Sequence, residues 1–117
     1  RLVFSRTGEL PKQAHLFTDD DASRTRVICN PALPEALATL SAEGINNLLL
    51  EGGAGLASAF LQAGMVQRVT HYVNPSYLGT GLCALNDYGL RDLNHRLHLK
   101  NVEYSPLGDD LAITGRL

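Results

Sequence analysis

The residues best suited to chemistry lie at positions 51–59, where the carboxylate Glu51 is followed by glycines at 52, 53 and 55. Glycine has no Cβ, so a phosphate can approach such a backbone closely. The free N–H groups and the dipole of a helix that starts there also favour an anion. The spacing therefore indicates an anion-binding turn with Glu51 at its edge. On the glycine pattern alone, a simple tight turn beside a solvated Glu51 is favoured over that interpretation.

Two elements must position this turn. Residues 48–50 are three consecutive leucines, which predict a buried strand covered on both faces. After the glycines, apolar residues recur at helical spacing, and Gly64 follows the last of them. The sequence thus predicts a strand, a glycine turn and a helix in succession.

Other candidate residues are weaker. Ser5 and Arg6 lie at the C-terminal end of a strand predicted at residues 1–5, at the sheet edge where ligands of α/β folds collect. Arg6 suits either a phosphate or open solvent, and both interpretations stand. The acidic residues 19–21 are interpreted as a solvated loop, because they lack the spacing of a cation-binding loop. His95 and His98 have no supporting ligands nearby in the sequence, so no metal site is expected.

The rest of the pattern predicts an α/β fold. Strands are expected at residues 16–18, 26–29 and 69–73, and a helix from Leu33 to the glycine at 44. A helical turn is expected near residues 90–93, and a closing hairpin pairs 97–104 with 111–115 across a turn at 105–110. The alternation of strands and helices predicts mostly parallel pairing, with an antiparallel hairpin at the C-terminal end.

Composition places limits on function. The 117 residues are 44% hydrophobic and 19% charged with a net charge of −2, which fits one soluble domain without an extended nucleic-acid surface. No apolar run approaches the ~18 residues that a membrane span requires. Cys29 and Cys83 have no disulfide or metal spacing and are expected to be reduced packing residues of a cytoplasmic protein.

These motifs together resemble a known family. The Leu-Leu-Leu-Glu-Gly-Gly run, the helix ending in Gln-Ala-Gly, and the later Tyr-Val-x-Pro and Leu-Gly segments resemble, in the same order, the C-terminal reductase domain of the bifunctional riboflavin biosynthesis deaminase/reductase. That domain has a dihydrofolate-reductase-like fold. The resemblance covers residues 1–117 and corresponds to about the C-terminal half of the domain. We therefore expect the chain to be the C-terminal part of a single reductase domain whose N-terminal part is absent.

The resemblance implies a reductase that uses NADPH to convert 5-amino-6-(5-phosphoribosylamino)uracil, a phosphorylated pyrimidine, into its ribitylamino product. It implies substrate binding by Glu51 and contact of Ser5 or Arg6 with the adenosine end of the cofactor. It also implies a homo-oligomer, expected to be a dimer, and requires neither a metal nor a covalent nucleophile. No residue is assigned as catalytic. The residues implied to hold the cofactor phosphates are Gly53, Ala54, Gly55, Leu56, Ala57, Ser58 and Ala59.

Some positions depart from the family pattern. Gln67 and Arg68 replace the usual Asp-Glu, and residues 74–76 read Asn-Pro-Ser where Ala-Pro-Lys is usual. These changes affect expected subunit contacts and local charge more than the cofactor turn. Two alternatives are kept: a noncatalytic remnant used for dimerisation or nucleotide binding, and a reductase of the same fold that acts on a pterin.

Overall fold

The computed structural model describes residues 1–30, 32–87 and 89–117. The chain divides into two compact units, Arg1–Leu49 and Leu50–Leu117. Both units contain strands and helices.

The first unit is built on a parallel pair of strands. Strand β1 (Leu2–Ser5) pairs with β2 (Arg26–Cys29), and Leu2 lies opposite Arg26 while Ser5 lies opposite Cys29. Both strands therefore end at the same edge. Between them lie helix α1 (His15–Thr18) and a 3₁₀ turn, Ala22–Arg24.

Residues 16–18 were predicted to be a strand, and this prediction is wrong. They lie in α1, where the N–H of Asp19 donates to the carbonyl of His15 at 2.9 Å and the Thr18 hydroxyl donates to the carbonyl of Ala14 at 3.3 Å. Three apolar or β-branched residues are too few to distinguish a strand from a helical turn. Hydrogen bonds between neighbouring residues stabilise a helical turn at this position.

Helix α2 (Leu33–Ala42) confirms the predicted helix and its glycine stop. Gly44 has φ +87°, and the N–H of Ile45 donates to the carbonyl of Leu40 while that of Gly44 donates to Ser41, each at 2.9 Å. These two bonds form a Schellman motif, which needs the left-handed conformation that glycine adopts without strain. The Leu40 side chain is fully buried and anchors the helix.

The predicted strand at residues 48–50 is absent from the described structure. Residues 45–53 have no regular secondary structure, and the side chain of Leu49 is 85% exposed. A strand is defined by ladder hydrogen bonds to a neighbour, and this segment has none among the residues described. The expectation that both of its faces are covered is therefore wrong.

The second unit combines one helix with an antiparallel sheet. Helix α3 (Ala54–Gln62) is followed by β3 (Arg68–Val73), β4 (Lys100–Leu107) and β5 (Asp110–Arg116), in the spatial order β3-β5-β4. The predicted C-terminal hairpin is confirmed, although its turn is only Gly108 and Asp109, because Leu107 already pairs with Asp110. A parallel partner was expected for β3, but it pairs with β5 antiparallel.

A short helical turn and the two cysteines differ in part from what the sequence predicted. The helical turn expected near residues 90–93 lies slightly later, as a 3₁₀ turn at Leu93–His95. Cys29 and Cys83 are free and exposed, so the expectation that they pack in the core is wrong. Among the described residues, no helix is long and apolar enough to span a membrane. The α/β class itself is confirmed, with a parallel pair, helices and an antiparallel sheet.

Candidate functional site

The start of α3 is the most open part of the predicted site. Gly53 is the N-cap residue, with φ −62° and ψ 176°, and it offers no side-chain cap. The first N–H to bond within the helix is that of Ala57, which donates to the carbonyl of Gly53 at 3.1 Å. The three preceding N–H groups therefore have no intrahelical acceptor. A Cβ added to Gly53 would meet nothing within 4 Å, so the space on that side of residue 53 is open.

This geometry fits a phosphate group. Unpaired N–H donors at a helix start and the positive end of the helix dipole both favour an anion. The first turn of α3 carries no acidic residue that would compete for those donors. Gly53 and Gly55 are exposed, so a ligand can reach their backbone directly.

Gly52 has a different role from Gly53. A Cβ at position 52 would lie 2.6 Å from Cδ2 and 3.0 Å from Cβ of Leu56, which is closer than real side chains approach each other. Gly52 therefore lets the Leu56 side chain pack against the backbone before α3, and a larger residue there would force that side chain to shift. Of the two adjacent glycines, one serves packing and the other leaves the turn open.

Glu51 precedes this turn and is exposed. Its carboxylate makes no hydrogen bond or ion pair with the residues that the structure describes. An exposed carboxylate beside an open turn is accessible to a ligand bound there. The structure places Glu51 in the same unit as residues 53–59, as the chain order requires.

The remaining predicted phosphate residues lie deeper in the helix. Ala54, Leu56, Ala57 and Ala59 are half-buried, and Ser58 is only 6% exposed. The Ser58 hydroxyl accepts a hydrogen bond from the N–H of Asn86 at 2.8 Å and donates to the carbonyl of Asn86 at 3.2 Å. Sequence reasoning missed Asn86, which lies in a stretch without a recognisable pattern and 28 positions from its partner.

Ser5 and Arg6 lie in the other unit, at the edge where β1 and β2 both end. The Ser5 hydroxyl accepts from the N–H of Gly8 at 3.0 Å, and its carbonyl accepts from the N–H of Asn30 at 2.7 Å. Arg6 is exposed and forms no ion pair within the described part of the chain. The structure thus places these two residues together, but in a different unit from Glu51 and α3.

Other charged side chains of the first unit form ion pairs at its surface. The two terminal guanidinium nitrogens of Arg1 donate to the carboxylate of Asp19, at 2.6 and 2.7 Å. Hydrogen bonding to Arg1 lowers the pKa of Asp19. Arg24 pairs with Asp21 at 3.2 Å. Two of the three acids at 19–21 are therefore engaged by arginines, and no group of three or more potential metal ligands occurs in the described ranges.

Two shallow surface depressions lie elsewhere. One is in the second unit between the end of α3 and the segment from Gly89 to Leu97, and the other is in the first unit beside Arg1, Arg26 and Leu49. Neither is lined by residues 51–59. The candidate site therefore lies at the exposed start of α3, outside these two depressions.

Comparison with solved structures defines the class of fold. The RibD of Acinetobacter baumannii superposes with TM-scores of 0.83 and 0.81 in two forms, at 24% identity, over 99% of this chain and 37% and 36% of those chains. A riboflavin biosynthesis protein from Shewanella superposes with a TM-score of 0.71 at 23% identity. The fold is therefore the dihydrofolate-reductase-like fold of these proteins.

Sequence comparison then gives the family. A model of the RibD C-terminal domain matches residues 1–113, and the chain belongs to that family. It is 33% identical over 106 residues to the riboflavin biosynthesis protein RibD of Mycobacterium tuberculosis, covering 91% of this chain and 30% of that protein. The RibD of Escherichia coli is 36% identical over 77 residues, 20% of its length. The chain thus spans less than a third of these relatives.

Proposed function

We propose that this chain belongs to an NADPH-dependent reductase of riboflavin biosynthesis. Its substrate would be 5-amino-6-(5-phosphoribosylamino)uracil, and its product the corresponding ribitylamino compound. The observation that carries the proposal is the match to the RibD C-terminal domain over residues 1–113, which includes the glycine-capped start of α3. We further propose that the two compact units are parts of one reductase domain.

The residues at the start of α3 suit the cofactor. The open space at Gly53 and the unpaired N–H groups of the first helical turn fit a phosphate of NADPH. Residues 53–59 would hold the phosphates, and Ser5 and Arg6 would contact the adenosine end. The guanidinium of Arg6 suits the 2′-phosphate by charge. NADPH itself supplies the hydride when bound.

Glu51 would act on the substrate. Its exposed carboxylate can accept hydrogen bonds from the hydroxyl groups of a sugar and so orient the chain that is reduced. It can also exchange a proton with the nitrogen that gains charge as the bond to carbon is reduced. The proton exchange requires an ionisable group at this position, and neither role requires a metal.

The proposal is tested with the full-length protein. We expect 5-amino-6-(5-phosphoribosylamino)uracil to cause oxidation of NADPH and to be converted into the ribitylamino product. The oxidation is measured as the loss of the absorbance of the reduced nicotinamide. Saturable NADPH binding without turnover would instead support a noncatalytic nucleotide-binding remnant. Turnover of a dihydropterin in place of the pyrimidine would support the pterin reductase.

The oligomeric state and cellular location stay predictions. The resemblance implies a homodimer in the cytoplasm, and light scattering of the purified protein measures the first directly. A monomer that is fully active would contradict the expectation of a dimer.

A further inference from the structure

The buried hydroxyl of Ser58 fixes a distant loop to α3. Its oxygen accepts from the N–H of Asn86 at 2.8 Å, and its proton is donated to the carbonyl of the same residue at 3.2 Å. A serine hydroxyl has one proton to donate, and that proton is used here. Ser58 is 6% exposed, so solvent competes little for these bonds. The hydroxyl therefore holds the backbone of Asn86 in place.

The side chain of Asn86 reaches the first turn of α3. A Cβ built on Gly55 would lie 3.7 Å from Nδ2 of Asn86, so the amide lies beside the backbone at that position. Asn86 is exposed, and its side-chain amide makes no hydrogen bond within the described ranges. An amide donor thus lies beside the first turn of α3, whose N–H groups are proposed to bind phosphate.

We propose that Asn86 is an additional phosphate-binding residue of the cofactor site, and that Ser58 is a positioning residue that acts through it. This inference rests on the proposed function, because it takes the phosphate site at the start of α3 as given. Asn86 contributes Nδ2 as a neutral donor alongside the backbone N–H groups. Ser58 does not touch the phosphate, since its own proton is donated to Asn86.

A double-mutant cycle separates this role from a direct one. Asn86→Ala removes the amide but keeps both bonds to Ser58, because those bonds use the backbone of residue 86. Ser58→Ala removes the bonds but keeps the amide. Each change is expected to raise the Kd for NADPH about five-fold, the effect of one lost hydrogen bond. The Kd of the double variant should be no higher than the higher of the two single-variant Kd values, because both changes remove the same contact.

A substitution that introduces a charge at residue 86 tests the same point, because it should weaken NADPH binding without destabilising the protein. Asn86→Asp should raise the Kd for NADPH about ten-fold by repulsion. The melting temperature of the unliganded protein should stay unchanged or rise, because a carboxylate near a helix start is favourable. A folding defect would instead lower the melting temperature together with the affinity for NADPH. The matched control is Asn101→Asp on the bulge of β4, where φ +50° suits either residue and NADPH affinity should not change.

The outcomes distinguish the two proposals. NADPH binding by the wild type, with unchanged Kd in Asn86→Ala and Asn86→Asp, overturns this inference and leaves the proposed function standing. Additive losses in the double variant overturn the positioning role of Ser58. If Ser58→Ala does not fold, the two Asn86 variants still decide whether residue 86 binds phosphate. Wild-type protein that does not bind NADPH overturns the proposed function and this inference with it.

Discussion

Helices α2 and α3 are closely similar at their C-terminal ends. They contain 10 and 9 residues, and each ends in a Schellman motif at a glycine of positive φ, +87° at Gly44 and +66° at Gly64. In α3 the N–H of Met65 donates to the carbonyl of Phe60 at 3.0 Å, as Ile45 does to Leu40 in α2. At both ends, N–H groups beyond the helix therefore bond to carbonyls of the last turn that have no donor partner within the helix.

Their N-terminal ends differ in charge and in shape. Helix α2 has Pro34 and the acidic Glu35 in its first turn, so a side chain of the protein already balances the helix dipole. Helix α3 has no acidic residue in its first turn and begins at a bare glycine. The comparison indicates that the start of α2 serves folding, whereas the start of α3 leaves its donors available to a ligand.

The largest expected effect comes from placing a carboxylate at each N-cap. Gly53→Asp should raise the Kd for NADPH about 100-fold or more, because the new charge lies against the phosphates. Ala32→Asp makes the corresponding change at α2 and should leave the Kd unchanged. Both should stabilise the unliganded protein, since Asp is a favourable N-cap. Fluorescence titration and thermal melting measure the two quantities, and equal affinities in both variants would remove the distinction between the helix starts.

Neutralising the acidic residue near each helix start should have the next largest effect. Glu51→Gln is expected to lower kcat about ten-fold or more while NADPH affinity stays near normal, because the carboxylate is assigned to the substrate. Glu35→Gln is the control and should leave turnover unchanged. Equal losses of kcat and cofactor affinity in Glu51→Gln would contradict the assignment of Glu51.

The similarity of the C-terminal ends predicts equal effects there. Gly44→Ala and Gly64→Ala should each lower the free energy of unfolding by about 1 kcal/mol, because alanine is strained at positive φ. Neither Cβ would meet another atom within 4 Å, so the loss reflects backbone conformation alone. Denaturant unfolding measures it. A much larger loss for one of them would show that the two ends are not equivalent.

The smallest expected effect concerns a charge pair at the end of α2. Arg26 donates to the carboxylate of Glu43, the C-cap residue, and this hydrogen bond lowers the pKa of Glu43 below its ordinary value of 4.5. The folded state therefore gains stability from ionised Glu43 above that pH, and loses it as the pH falls through the lowered folded pKa. Glu43→Gln should make unfolding stability slightly less dependent on pH in this acid range. An unchanged pH profile would mean that the exposed pair contributes nothing measurable.

The helices were predictable because their signals are local. Periodic apolar residues precede Gly44 and Gly64. Helices often end at a residue in the left-handed conformation, which favours glycine, so these patterns predict α2 and α3 from the sequence alone. The turn at Gly53 was predictable for the same reason. These features depend on residues within one or two turns of each other.

The failures concern pairings between distant residues. The leucines at 48–50 have the composition of a buried strand, but a strand also needs a neighbour that supplies hydrogen bonds. The pairing of β3 with β5 joins Thr70 to Thr114, which no local pattern predicts. Asn86 was missed because its contact with Ser58 uses its backbone, which is the same in every residue type except proline.

The most direct test of the account is the response of individual backbone amides to NADPH. In the labelled full-length protein, NMR titration should shift the N–H resonances of Ala54, Gly55 and Leu56 most strongly among the two helices, and leave those of Glu35 and Ala36 at the start of α2 unchanged. Saturable binding of NADPH with no shift at residues 54–56 would contradict the claim that the start of α3 holds the cofactor.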